Sequence, residues 1–214
     1  MEYNYLINKI FNENCLVTMS KMPNDFINLV VTSPSYDQLR KYSGDNKLDW
    51  EEHVWKPIIQ ELFRVIRLGG IVVWVVGDSV INGSESGTSF KQALYFKDVG
   101  FNLYDTMIYQ KENPVPLTHN RYEQAFEYMF VFSKGKPKTF NPILEDCKTK
   151  GYYKTVRSAG RVKENSFRSR EEIVKTKDTK VQRNIWTYIV GGKTDNGRHP
   201  ASFPEKLVID YIIS

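Results

Sequence analysis

A chain of 214 residues with 41% apolar content is long enough to bury one sizeable core and carry a smaller insertion, and it does not have the composition of a disordered tail. Its net charge of +5 is uneven: Lys134 to Arg183 holds 15 Lys or Arg against 6 Asp or Glu, a local +9, which leaves the rest of the chain at −4. Two distant cysteines, Cys15 and Cys147, and three scattered histidines argue against a disulfide framework or a zinc site, and no apolar run reaches the ~18 residues that span a bilayer.

Lys9 to Met19 reads as a short strand and turn, and Val17 to Asp25 as a helical segment. Phe26 to Val31 is apolar without alternation, which suits a strand buried on both faces of a parallel sheet. It runs directly into the polar turn Thr32-Ser33-Pro34-Ser35-Tyr36. Between Trp50 and Arg67, Trp55, Ile58, Ile59, Leu62 and Phe63 recur at helical spacing, and Leu68-Gly69-Gly70 offers a left-handed glycine cap to end that helix. Ile71 to Val76 is the most strand-like run and closes at Gly77-Asp78. Ser89 to Val99 reads as a helix stopped by Gly100. Phe101 to Tyr109 and Tyr128 to Phe132 read as strands, separated by a loop with Pro114, Pro116, His119 and Arg121.

This alternation describes an α/β domain with an open, mostly parallel sheet. Ligands of such sheets bind beyond the carboxyl ends of the strands, where the Ser33 turn and Gly77-Asp78 both fall. Asp78 has two readings there, a group that orients the site and a cap for the following helix, and the cap is preferred. From Lys134 to about Asp195 the periodicity fades, and Tyr152, Tyr153, Phe167 and Trp186 are interleaved with basic residues. Nucleic-acid surfaces use that mixture, because cations reach phosphates while rings stack on bases. A partly ordered, solvated insertion is the competing reading.

Several stretches together resemble the amino-methyltransferases of DNA, which methylate cytosine N4 or adenine N6 with S-adenosylmethionine. Ser33-Pro34-Ser35-Tyr36 is similar to their (Ser, Asp or Asn)-Pro-Pro-(aromatic) motif. "ELFRVIRLGGIVVWVVGD" (Glu61 to Asp78), "GTSFKQALYFKDVGFNLYDTMIYQKENP" (Gly87 to Pro114) and "RYEQAFEYMFVFSKGKPKTFNPI" (Arg121 to Ile143) follow in the family's order. "RHPASFPEKLVIDYIIS" (Arg198 to Ser214) resembles the His-Pro-Ala-x-Phe-Pro segment that precedes the family's cofactor loop. Catalytic motif first and cofactor segment last is the order of the permuted β-type class.

The resemblance implies a Rossmann-like S-adenosylmethionine-dependent methyltransferase fold, circularly permuted and incomplete, with a basic target-recognition insertion. It implies a catalytic region at 1–134, a DNA-recognition region at 135–195, and a return to the catalytic domain at 196–214. Ser33, Pro34, Ser35 and Tyr36 are the expected catalytic residues. Asn14, His199, Pro200, Ala201, Phe203 and Pro204 are expected on the cofactor. His119, Asn120 and Arg121 are expected on DNA, with an ordinary polar loop as the competing reading, together with Lys154, Arg157, Arg161, Arg168 and Arg170. No metal is expected. Cytosine N4 is favoured over adenine N6, because Ser preceded by Thr at the start of the motif goes more often with cytosine in this family.

Three departures stand out, the one at Glu13-Asn14-Cys15 the smallest. Ser35 replaces the second proline, so the turn loses one fixed φ and gains a backbone N–H. Glu13-Asn14-Cys15 stands where relatives commonly carry Gly-Asp-Cys. In the family an Asp-Pro-Phe-x-Gly-Ser-Gly loop follows the His-Pro-Ala segment within about twenty residues, and none lies in these 214 residues. The expectation is therefore a fragment, or an enzyme whose cofactor loop comes from a second chain. The partner expected is double-stranded DNA, in restriction-modification or phage DNA modification. An RNA methyltransferase and a non-catalytic DNA-binding remnant are the alternatives. The N-terminus lacks a basic n-region and an apolar h-region, so a cytoplasmic protein is expected.

Overall fold

The computed structural model describes residues 3–35, 50–114, 116, 120–162, 166–190 and 204–214, with the backbone alone at 157–162 and 166–171. In chain order the elements are a 3-10 turn (Asn4–Leu6), α1 (Cys15–Ser20), β1 (Ile27–Thr32), α2 (Glu52–Val65), β2 (Ile66–Val76), β3 (Val80–Ile81), β4 (Ser84–Glu85) and α3 (Thr88–Val99). They continue with β5 (Asn102–Lys111), β6 (Phe126–Ser133), β7 (Leu144–Asp146), β8 (Tyr153–Val162), β9 (Ser166–Lys175), β10 (Thr179–Val181), β11 (Ile185–Tyr188) and α4 (Glu205–Ile213). The chain divides into two compact units, Met1–Phe140 with Asn184–Ser214, and Asn141–Arg183.

The first unit is built on a five-stranded sheet in the order β1-β2-β6-β5-β11. β1 and β2 are parallel, β6 is antiparallel to both β2 and β5, and β11 is parallel to β5. Four strands therefore run one way and β6 alone is reversed, so the sheet is mixed, with the largely parallel character that the α/β alternation implies.

Successive residues of β2 serve opposite faces, as strand geometry dictates. Val72, Trp74 and Val76 join Phe130 and Phe132 of β6 beneath α2 and α3, packed with Trp55, Ile59, Leu62 and Phe96. Trp74 donates its indole N–H to Gln92 at 2.8 Å, which satisfies the one polar atom that this ring carries into the core. On the other face α4 covers β5, β6 and β11: Leu207 is fully buried, and the Tyr211 hydroxyl lies 3.1 Å from the Met107 sulfur. The Trp186 and Tyr211 rings pack at 4.9 Å. Each such side chain contributes about 1.5–3 kcal/mol by leaving water.

Local structure departs from the sequence reading at two places. Among the described residues of 9–19 there is no strand; instead Asn14 caps the short helix α1. The helix before Gly69-Gly70 has already ended at Val65, and both glycines lie inside β2. There the Gly69 N–H donates to the Lys134 carbonyl and the Lys134 N–H to the Gly70 carbonyl. The exposed carbonyls at the end of α2 are met by a side chain, since the Lys134 ammonium donates to the carbonyls of Phe63 and Ile66 at 2.8 and 3.0 Å. Gly100 does end α3, with φ of +118°, a conformation an L residue adopts only under strain.

The second unit contains two antiparallel pairs, β7 with β10 and the longer β8 with β9. The region read from sequence as 135–195 is thus divided: 141–183 forms this unit, and β11 extends the main sheet along β5. Trp186, read as part of an aromatic nucleic-acid surface, is buried at 6% exposure against Tyr211, because its strand register with β5 points it beneath α4. Among the described residues no helix is long and apolar enough to cross a membrane.

Candidate functional site

The carboxyl edge of the main sheet gathers the ends of β1, β2, β5 and β11 and the start of β6. β1 pairs Thr32 with Trp74, so the turn that follows begins where β2 brings Val75, Val76, Gly77 and Asp78 to the same edge. Ser33 is exposed, and Pro34 and Ser35 are half-buried. β1, expected from its apolar run to be buried on both faces, is only half-buried because among the described strands it lies at the end of the sheet, and it delivers a hydroxyl, an imino-acid carbonyl and a second hydroxyl to this rim. These are acceptor groups, suited to binding N–H donors. Tyr36, the ring expected beside them, lies outside the described residues.

Asp78 resolves its two readings in favour of the cap. Its Oδ1 accepts from the Ser89 backbone N–H at 2.9 Å and from the Ser86 hydroxyl at 3.1 Å, and its Oδ2 accepts from the Ser89 hydroxyl. A carboxylate placed at the start of α3 satisfies one of its first N–H groups and meets the positive end of the helix.

Between Asp78 and α3 sits a feature the sequence reading passed over, the hairpin of β3 and β4. Asn82 and Gly83 carry φ of +50° and +81°, the positive pair of a type I′ turn, and the Asn-Gly dipeptide is its sequence signal. Val80 and Ile81 are exposed on this hairpin. Arg121 holds it: one guanidinium nitrogen donates to the Gly83 carbonyl and another stands 3.8 Å from Glu85. The side chain expected to reach DNA is therefore engaged with the hairpin. Beside it Tyr128 packs edge-on against Phe90 at 5.2 Å and Phe126 at 5.5 Å. Burial raises the Tyr128 hydroxyl above the usual tyrosine range, and the charges of Asp78 and Glu85 add to this.

The other expected site residues that are described lie on separate elements. Asn14 caps α1, its Oδ1 accepting the Leu16 N–H at 2.9 Å. Pro204 begins α4. Both are uncharged side chains. His199, Pro200, Ala201, Phe203 and His119 lie outside the described residues. Asn120 is exposed in the loop before β6. Lys154 is exposed on β8, where Arg157 and Arg161 also lie, and Arg168 and Arg170 lie on β9. Among the described residues no group of His, Cys, Asp and Glu is placed to hold a metal ion.

Residues 27–214 match the model of the N6/N4 methyltransferase family, described as DNA methylase. The chain is 47% identical over 195 residues to the orphan methyltransferase M.BamHII of Bacillus amyloliquefaciens, covering 88% of this chain and 71% of that protein. It is 28% identical over 147 residues to the type II methyltransferase M.SfiI of Streptomyces fimbriatus, covering 58% of this chain and 35% of that one. Among solved structures the PvuII DNA methyltransferase (cytosine-N4-specific) superposes with a TM-score of 0.61 at 19% identity, covering 94% of this chain and 67% of that one, a likeness of fold.

Proposed function

We propose, from the premise that this chain belongs to the N6/N4 family of DNA methylases, that it serves a site-specific DNA methyltransferase acting on an exocyclic amino group, with cytosine N4 favoured. The observation that carries the reading is the turn Ser33-Pro34-Ser35 at the carboxyl end of β1, inside a stretch that matches the family over 27–214. S-adenosylmethionine, when bound, supplies the methyl group.

The chain's own residues act on the acceptor. An exocyclic amino nitrogen is a poor nucleophile while its lone pair is delocalised into the ring. The Ser33 hydroxyl oxygen and the Pro34 carbonyl accept its two N–H groups, which favours a pyramidal nitrogen with an available lone pair. Tyr36 stacks on the base. Direct transfer needs no covalent enzyme intermediate, and proximity and orientation lower the barrier. The base leaves the duplex to reach the site, which costs a few kcal/mol and is offset by phosphate contacts of the basic unit.

Support for cytosine comes from Ser33 at the head of the motif and from the cytosine-N4 specificity of the PvuII structural neighbour. The second reading, adenine N6, keeps the same acceptors. A cytoplasmic setting in restriction-modification belongs to this proposal. The test is incubation with labelled S-adenosylmethionine and either duplex DNA or RNA, followed by nucleoside analysis. Label in N4-methylcytosine is expected. Label in N6-methyladenine selects the second reading, and label confined to RNA refutes both.

A further inference from the structure

The β8–β9 ribbon separates the cations expected to meet nucleic acid. In its register Arg157 stands opposite Glu171 and Arg161 opposite Phe167, whereas Lys154 stands opposite Val174, Ser158 opposite Arg170 and Gly160 opposite Arg168. Directly opposed residues share a face and successive residues alternate. Arg157 and Arg161 therefore lie on one face of the ribbon, and Lys154, Arg168 and Arg170 lie on the other.

Charge does not choose between the faces. Arg157, Arg161 and Lys175 share theirs with Glu171, and Lys154, Arg168 and Arg170 share theirs with Glu172, a net +2 on each. Two other features do choose. The first face carries the aromatic residues Tyr153 and Phe167 among its cations, and the second carries none. Exposure also differs at the end of the ribbon where Tyr153 pairs with Lys175: Tyr153 and Ile173 are 70% and 73% exposed on the first face, against 39% and 38% for Val156 and Val174 on the second.

We infer that the ribbon face carrying Tyr153, Arg157, Arg161, Phe167 and Lys175 is the surface that meets duplex DNA. This rests on the DNA methyltransferase reading and deepens it by naming the contact surface. Ten-residue strands span roughly 33 Å, and a major groove about 12 Å wide admits a two-stranded ribbon. Arg157 and Arg161, four residues apart, are spaced by roughly 13 Å along it. Cations at that spacing neutralise separate phosphates, while rings contact sugars and thymine methyl groups.

The test is fluorescence anisotropy of the 214-residue chain with a mixed-sequence labelled duplex over a salt series. The double variant R157A/R161A is expected to bind at least about tenfold more weakly, with the slope of log K against log salt reduced by about 2. R168A/R170A is expected to lose only about two- to threefold, through the general positive potential. R157Q/R161Q, which removes the charges but keeps long polar side chains, is expected to weaken binding to the same extent and serves if the alanine pair does not fold, and unchanged binding in it overturns the assignment. Equal or greater loss in R168A/R170A overturns the assignment, as does unchanged binding in R157A/R161A. Wild-type chain that binds an RNA hairpin but no duplex removes the DNA reading itself, an outcome distinct from binding through the wrong face.

Discussion

Asp78→Ala tests the cap most directly. The substitution removes the acceptor of the Ser89 N–H at 2.9 Å and of the Ser89 hydroxyl. Loss of a side-chain cap costs about 1 kcal/mol. Ser89 is 1% exposed, so its hydroxyl cannot turn to water, and an orphaned buried donor costs about 1–3 kcal/mol. Ser86 is only half-buried and contributes little. The expected loss is about 2–4 kcal/mol, which at a urea slope of roughly 2 kcal/mol/M lowers the unfolding midpoint by about 1–2 M. Asp78→Asn should fall between, since an amide oxygen still accepts the Ser89 N–H while the charge on the helix terminus is gone. The assay is urea unfolding followed by circular dichroism, with methyl transfer measured on the same samples. A stability unchanged to within about 0.5 kcal/mol, together with lost transfer, would show that Asp78 orients the site and does not hold the helix.

Tyr36→Ala is expected to abolish methyl transfer while leaving the urea midpoint unchanged, and full activity would refute the stacking role. Gly100→Ala places a Cβ 3.0 Å from Phe63 Cζ at a φ of +118°, so it should destabilise by about 1–3 kcal/mol, read in the same unfolding assay. Gln92→Leu removes the partner of the buried Trp74 indole and should cost about 1–3 kcal/mol, with a change in near-ultraviolet circular dichroism from that ring. Burial raises Tyr109, Tyr188 and Tyr211 above the usual tyrosine value, and a hydrogen bond from Tyr188 to Asp210 adds to its shift. The folded chain keeps these protons to higher pH than the unfolded chain, so their stabilisation is complete below roughly pH 10 and declines as pH rises beyond it. Urea midpoints should fall from about pH 10 upward, and Tyr188→Phe should make that fall shallower.

The elements that carry the site were legible because their signals are local. Phe26 to Val31, the helical spacing from Trp55 to Phe63, and the run Ile71 to Val76 each declare themselves within a dozen residues, and β1, α2 and β2 follow them. The polar turn after β1 could be placed at the carboxyl edge from that alternation alone, and a cap for α3 could be anticipated at Asp78. Even the hairpin of β3 and β4 had a local mark in Asn82-Gly83, which went unread because strands of two residues have no periodicity of their own.

What only the tertiary structure decided depends on partners distant in the chain. Gly69 and Gly70 resemble a helix stop until residues 134–138 are laid beside them, and their backbone groups pair there. Trp186 resembles a stacking ring in a basic stretch until Ile185–Tyr188 docks along β5, whose Ile108 lies 77 residues earlier, and α4 closes over it. The division of the ribbon's arginines between two faces is likewise a matter of register. Composition and periodicity record how one segment meets water. Which segments lie side by side is settled by the pairing of backbone groups and apolar faces across the whole chain, and that pairing decides whether an arginine or a tryptophan belongs to a core or to a surface.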